Sequence, residues 1–410
     1  MKTAGATAAA IAASNAWLPR VSMAKDYRST QRDVLIWVYL RGASDGMTIC
    51  VPHGDNEYYV KRPVLAIPRP NSGDPRACLN LDGFFGMPPA MAPLMPAYQN
   101  GRLVYVHACG SRDDTRSHFD GQRYMEVGTP SNPDLITGWL GRHLATVSPM
   151  VADSKLRAVG MSTGLPLVLV GGPSTLPIPN LDTFGLQGAA GTRVARTTAL
   201  RDLYTSGPQT LQTTATTTLD TITLLDQIDF NGYQPAGGAV YNTAVDVGYA
   251  LKTSAALIKS EVGVEAICID LHNWDTHTSQ GVHVGTMFTI MNRLAAAMAA
   301  FERDMSTGTN PTYTMVVISE FGRRLAENGS LGTDHGHGNA MMVMGSNVNG
   351  SRVIRQWPGL AQENLFQGAD LQVTIDYRDI LSEIIDRRLG NPNVSSIFPG
   401  FAPTYRGVVL

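Results

Sequence analysis

Residues 319–338 read SEFGRRLAENGSLGTDHGHG and follow directly on the apolar run 315–318, MVVI. The run has the length and β-branched content of a buried strand. What leaves it is a polar loop that opens with Glu320 and closes with Asp334, His335 and His337. Its glycines let the backbone turn tightly and keep space around the side chains. A carboxylate and two imidazoles this close together are the donors of a zinc-class or mixed N/O metal site. The same residues would also suit a polar surface turn with solvated histidines. The metal reading gains from a second cluster, Asp270, His272, Asp275 and His277, at the end of another apolar run, 264–271 (VEAICIDL). A third strand pattern, 33–40 (DVLIWVYL), delivers Asp45 in the loop RGASDG. An Asp-Gly pair is more often a turn, but its place after a first core strand raises Asp45 as a ligand.

Working outward, residues 102–108 (RLVYVHA), 165–170 (LPLVLV) and 339–344 (NAMMVM) read as further strands. Helical patterns occupy 88–98, 138–147, 239–261, 285–305 and 377–389, the last stopped by Gly390 and Pro392. The Thr- and Leu-rich stretch 192–228 keeps leucines at roughly helical spacing and reads as an inserted helical segment, about 190–235. Strands alternating with helices predict one α/β domain over residues 30–410 with a mostly parallel sheet. In such sheets ligands bind beyond the carboxyl ends of the strands. Asp45, the 115–118 loop, Asp270 with Asp275 and His277, Glu320, and Asp334 with His335 and His337 all fall at that edge.

Ser117 stands before a helix-like stretch with acidic residues in its first turns. It is an N-cap candidate, with Thr115 as the alternative. The sharper reading makes Ser117, or Thr115, a nucleophile at the positive end of a helix, where an anionic ester is drawn. Arg116 would then clamp a non-bridging oxygen with its two-pronged guanidinium; a solvated surface arginine is the plainer role. His118 would orient or protonate the reacting group, or pack beneath the helix. There is no G-x-S-x-G elbow and no GxxxxGK[ST] phosphate loop.

The totals agree with a globular enzyme-like chain. The 410 residues suffice for a large core, and 43% hydrophobic content comes with 41 glycines and 24 prolines. A net charge of −2 with 16% charged residues gives no basic face for nucleic acid. Met1-Lys2, a mild alanine-rich run and Ser22-Met23-Ala24 have the layout of an export signal over residues 1–24, weakly hydrophobic as in twin-arginine signals but without an Arg-Arg pair. After its removal no run is long enough to span a bilayer. The four cysteines lack CxxC spacing, so a thiolate zinc site is not expected; export would permit a Cys50–Cys78 disulfide.

The segments LRGASDGM, VPHGDNEYYVKRP, DGFFGMPPAMAPL, GRLVYVHACGSRDDTRSHFDGQRYMEVGTP, WDTHTSQ, SEFGRRLAENGSLGTDHGHG and DYRDILSEII together resemble the DUF1501 family. These are exported, mostly uncharacterised bacterial proteins, distantly similar to the alkaline phosphatase and sulfatase superfamily. The resemblance implies an alkaline-phosphatase-like three-layer sandwich in the periplasm or outside the cell. It implies one or two divalent metals, zinc foremost, with magnesium, calcium or manganese as alternatives. Asp45, Asp270, Asp275, His277, Glu320, Asp334, His335 and His337 would supply ligands, and Ser117 or Thr115 the nucleophile. Two departures stand out. Asp275 and His277 are two apart where the superfamily spacing is four, and Glu320-Phe321 replaces Asp-His. The additional imidazole of the Asp334–His337 group would replace the lost one, or the site would hold a single metal. The function implied is hydrolysis of small anionic phosphate or sulfate esters. The alternative is a non-catalytic exported binding or assembly protein with a partial metal site.

Overall fold

The computed structural model describes residues 32–130, 132 and 134–410, so the expected export signal lies outside the described residues. The first strand, β1 (Val34–Leu40), is buried along its whole length. Its alternate side chains feed two separate cores: Val34, Ile36, Val38 and Leu40 enter one, Leu35, Trp37 and Tyr39 the other. This period of two explains why the run is apolar throughout: a strand covered on both faces has no solvent side.

The other strands of the main sheet are β2 (Leu103–Gly110), β3 (Ala158–Gly160), β4 (Thr175–Pro177), β5 (Ala266–Leu271), β6 (Tyr313–Ile318), β7 (Asn339–Gly345), β8 (Arg352–Ile354) and β9 (Ile375–Asp376). Their order is β8-β2-β7-β6-β1-β5-β3-β4, with β9 paired to β2. All pairings are parallel except those of β7, which runs antiparallel to both β2 and β6. The protein is thus a mixed α/β fold with a mostly parallel central sheet. Because β7 is reversed, the segment between β6 and β7 leaves and re-enters the sheet at the same edge. That edge also carries the carboxyl ends of β1, β2 and β5.

The longer helices are α1 (His118–Val127), α2 (Trp139–Thr146), α3 (Arg193–Tyr204), α4 (Gln209–Leu225), α5 (Asp246–Lys259), α6 (Thr286–Ser306) and α7 (Tyr377–Arg387). α5 and α6 pack on the face that receives Ile36 and Val38. α2 and α7 pack on the face that receives Trp37, where Trp139 meets Trp37 edge-on with ring centres 5.3 Å apart. The Thr- and Leu-rich stretch forms α3 and α4; α4 buries Leu219, Ile222 and Leu225, whereas α3 buries no side chain.

One expectation needs correction. Residues 165–170 are not a strand: Pro166 lacks the amide a ladder needs, and Leu167–Leu169 form a single turn of 3-10 helix. The strand belonging there is β3, whose three residues are too short for periodicity to show. The Cys50–Cys78 pairing that export would permit is not formed: all four cysteines are free and buried. Among the described residues no helix is long and apolar enough to cross a membrane.

Candidate metal centre

Three loops at the shared sheet edge meet over β1. The loop after β5 brings Asp275 and His277, the segment between β6 and β7 brings His335, and the start of α1 brings His118. Close backbone approach makes this meeting feasible. A Cβ on Gly332 would lie 2.3 Å from the His277 carbonyl, and one on Gly336 would lie 2.3 Å from the Arg323 carbonyl carbon, so only glycine allows these strands of chain to touch.

His118, Asp275 and His335 each place one donor atom within 4.8 Å of the others. His277 joins through the Asp275 carboxylate. Asp275 Oδ1 lies 3.0 Å from His277 Nε2 and 3.2 Å from His335 Nε2, and Asp275 Oδ2 lies 3.5 Å from His118 Nε2. The two Nε2 atoms of His277 and His335 are 2.9 Å apart. Neighbouring ligand atoms of a tetrahedral zinc ion with bonds of about 2.0–2.1 Å stand about 3.3 Å apart, so these separations bracket the required value.

The outer nitrogens decide the chemistry. His118 Nδ1 lies 2.8 Å from Glu320 Oε1, His277 Nδ1 lies 3.1 Å from Asp334 Oδ1, and His335 Nδ1 lies 2.9 Å from the Arg116 carbonyl oxygen. Each partner is an acceptor only, so each Nδ1 carries the hydrogen. In the neutral rings every Nε2 therefore turns a lone pair inward, towards the others and towards the Asp275 carboxylate. His118 Nε2 is buried with no hydrogen-bond partner at all. A group of inward-facing acceptors repels itself unless a proton or a metal cation sits among them. An imidazole whose far N–H is held by a carboxylate or carbonyl is the usual setting of a metal-bound histidine. The residues present fit a divalent cation, and Asp275 and His277, 45% and 40% exposed, leave one side of the cluster open to solvent.

The surrounding charges are arranged around this cluster. Burial works to raise the Asp275 carboxyl, but the Arg323 guanidinium, 2.6 Å from Oδ1, outweighs it and holds the group below the usual carboxylate range. Burial likewise opposes charge on Glu320 and is outweighed by hydrogen bonds from His118, Gln122 and Ser319, which keep its carboxyl low. The Glu320 hydrogen bond raises His118, whereas burial and then the neighbouring His118 lower His335.

Several expected ligands stand elsewhere. Asp45 is fully buried, and both its oxygens are engaged by Arg62 (2.6 and 3.1 Å), with Thr48 and Gln280 as further donors. It is outside the cluster because the guanidinium has taken its place. Asp270 is bound to Arg41 (3.0 Å). His337 is 5% exposed and stacks on Phe366 with ring centres 4.0 Å apart; burial lowers it to about 4. Glu320 and Asp334 hold the outer nitrogens of histidines and do not enter the group of inward donors. Ser117 caps α1, its Oγ accepting from Asp120 N at 3.4 Å, and Thr115 Oγ1 accepts from Ser117 N at 3.1 Å. Arg116 is not a free clamp: it is paired with buried Asp370 at 2.5 Å and bonded to Gln367.

His118 is the donor that the sequence reading left without a ligand role. A signal for it exists in α1. Gln122 follows it by four residues and Glu126 by eight; Gln122 donates to Glu320 at 3.0 Å and Glu126 pairs with Arg41. A polar stripe at helical spacing on a helix that faces the sheet points to a site rather than to solvent.

Comparison with known proteins gives one family and little else. A family model described as protein of unknown function (DUF1501) matches residues 32–395. No curated protein matches the chain. Among solved structures, the crystal structure of the C-terminal periplasmic domain of EcEptC from Escherichia coli, a complex with Zn, aligns over 92% of this chain and 89% of that chain, at 12% identity and a TM-score of 0.33.

Proposed function

This chain belongs to the DUF1501 family, and on that footing we propose that it is an exported, metal-dependent hydrolase of phosphate or sulfate esters. The observation that carries the proposal is the inward convergence of the His118, His277 and His335 lone pairs on the Asp275 carboxylate, open to solvent on one side. A structural zinc site is closed by four protein ligands, whereas a catalytic one has three and keeps a position free; His118, Asp275 and His335 make such a three-donor set, with exposed His277 at its open side. In this reading the sheet is the core of an alkaline-phosphatase-like three-layer sandwich, and the metal is zinc.

When bound, such an ion polarises an ester oxygen and lowers the pKa of a coordinated hydroxyl or water. The chain's own residues do the rest. Glu320, Asp334 and the Arg116 carbonyl lock the three imidazole rings in their tautomers. The N-terminus of α1 turns its partial positive charge towards an anionic ester. Ser117 precedes ligand His118, and its cap contact uses an oxygen lone pair, which leaves the hydroxyl hydrogen available.

Ser117→Ala separates the two roles of that hydroxyl. Loss of the cap alone costs about 0.5–2 kcal/mol of stability, with any turnover kept. Loss of a nucleophile abolishes turnover of an aryl phosphate or sulfate while zinc content stays near wild type, in addition to the same small cost of the lost cap. We expect the second result. If the wild type hydrolyses such an ester and both Ser117→Ala and Thr115→Ala retain its rate, the nucleophile assignment is wrong.

One observation favours the non-catalytic alternative. The arginine expected to neutralise the ester, Arg116, is committed to buried Asp370. Purified protein that binds zinc stoichiometrically yet turns over neither phosphate nor sulfate esters would establish a binding or assembly protein instead.

A further inference from the structure

Beneath the cluster lies a side chain to which no role has yet been given. Gln280 is fully buried. Its Oε1 accepts from Thr276 Oγ1 at 3.1 Å and from Thr333 Oγ1 at 2.7 Å, and its Nε2 donates to Asp45 Oδ2 at 2.7 Å. Thr276 stands between Asp275 and His277; Thr333 directly precedes Asp334 and His335. One amide group therefore touches two of the three loops that supply the cluster and fastens them to a carboxylate on the loop after β1. A backbone bond from Thr333 N to Thr276 O (3.2 Å) joins the same two loops.

The residue type follows from these partners. Two hydroxyl donors require an acceptor, and a carboxylate requires a donor, on one uncharged side chain of this reach. A glutamate would set a second negative charge against Asp45, and an aliphatic residue would leave the Thr276 and Thr333 hydroxyls without their acceptor. Asp45 is itself immobilised by Arg62 and Thr48. The chain of contacts runs from a rigid buried ion pair, through Gln280, to Thr276 between Asp275 and His277 and to Thr333 two residues before His335.

We propose that Gln280 is a positioning residue that sets the separation of the Asp275–His277 loop from the Asp334–His335 loop, and so the geometry of the metal centre. The proposal rests on the metal reading given above. A histidine or carboxylate ligand displaced because its support is lost typically weakens metal binding about 10–100-fold, and that is the loss expected here.

The test removes the hydroxyls rather than Gln280, to keep the fold. The full chain carrying Thr276→Val and Thr333→Val together is titrated with Co2+, whose visible absorption reports tetrahedral coordination, and with Zn2+ against a chelator. Binding about 10–100-fold weaker than wild type, with a reduced cobalt band, supports the proposal. The Thr276→Ser and Thr333→Ser pair, which restores both hydroxyls, should bind as wild type does. Thr314→Val is the control. Thr314 Oγ1 donates to the Asp33 carboxylate (2.6 Å) at the opposite end of β6, so its loss should lower stability and leave metal affinity unchanged. Wild-type affinity and spectrum in the double variant, or an equal loss of affinity in Thr314→Val, would overturn the proposal. If the double variant does not fold, each single valine variant must show a partial loss in the same direction, and wild-type binding in both overturns it equally. A wild-type protein that takes up no cobalt or zinc refutes the metal centre itself, and the clamp with it, which is a different result from a variant that binds normally.

Discussion

Asp275→Asn should reduce zinc affinity by at least about 100-fold, the upper end of what is lost when only a supporting residue is changed. Asp275 is the hub of the cluster: its two oxygens face His118, His277 and His335, and among the described residues no other carboxylate pairs with all three. Asparagine keeps the shape but withdraws the charge that a divalent ion requires. Glu320→Gln keeps His118 in place with a weaker acceptor and should cost less, about 10–100-fold. Chelator competition on the purified protein measures both. If Asp275→Asn binds zinc as tightly as wild type, the cation does not sit on this carboxylate and the site must be redrawn.

The second large effect is on stability. Arg62→Met should destabilise the fold by about 3–5 kcal/mol, because it strands the buried Asp45 carboxylate. Arg62 is completely buried, and besides Asp45 it satisfies the carbonyl oxygens of Leu325 and Arg324, both at 2.8 Å. Burial alone would push the Asp45 carboxyl up; the Arg62 guanidinium overrides it and holds the group low. The double variant Asp45→Asn/Arg62→Met should recover part of the loss, since it removes the uncompensated charge. Denaturant unfolding of the two singles and the double gives the coupling. A near-additive cycle would show that the two side chains do not depend on each other.

These two residues also show where reading the sequence succeeds and where it stops. The runs that became β1, β5 and β6 are legible because a strand buried on both faces must be apolar at every position. The loops that follow them are legible for the same reason, as polar residues crowded against an apolar end. What a one-dimensional pattern does not reveal is which partner a buried charge has chosen. Asp45 sits where a metal ligand is expected, but Arg62, on a separate turn of chain, reaches it. Glu320 was expected among the ligands, and the structure has it orienting His118. His337 resembles His335 in spacing and glycine context, yet faces Phe366. Short β3 and the 3-10 turn at Leu167–Leu169 failed for a simpler reason, that three residues carry no period.

The reversed direction of β7 has a consequence beyond the sheet. Residues 319–338 depart from β6 and return to its immediate neighbour, so they form one long excursion between adjacent strands, and Glu320, Arg323, Asn328, Asp334 and His335 all ride on it. Loop closure becomes more costly only slowly as a loop lengthens, so the exposed tip at residues 329–331 can be rewritten, whereas the carbonyls of Arg324 and Leu325 must stay to receive buried Arg62. A metal donor, two of the groups that aim the imidazoles and the guanidinium that holds Asp275 thus form a module. Exchanged together with Arg62 and Gln280, whose partners it carries, the module would replace all of these groups in one step, while Asp275, His277 and His118 remained on the scaffold.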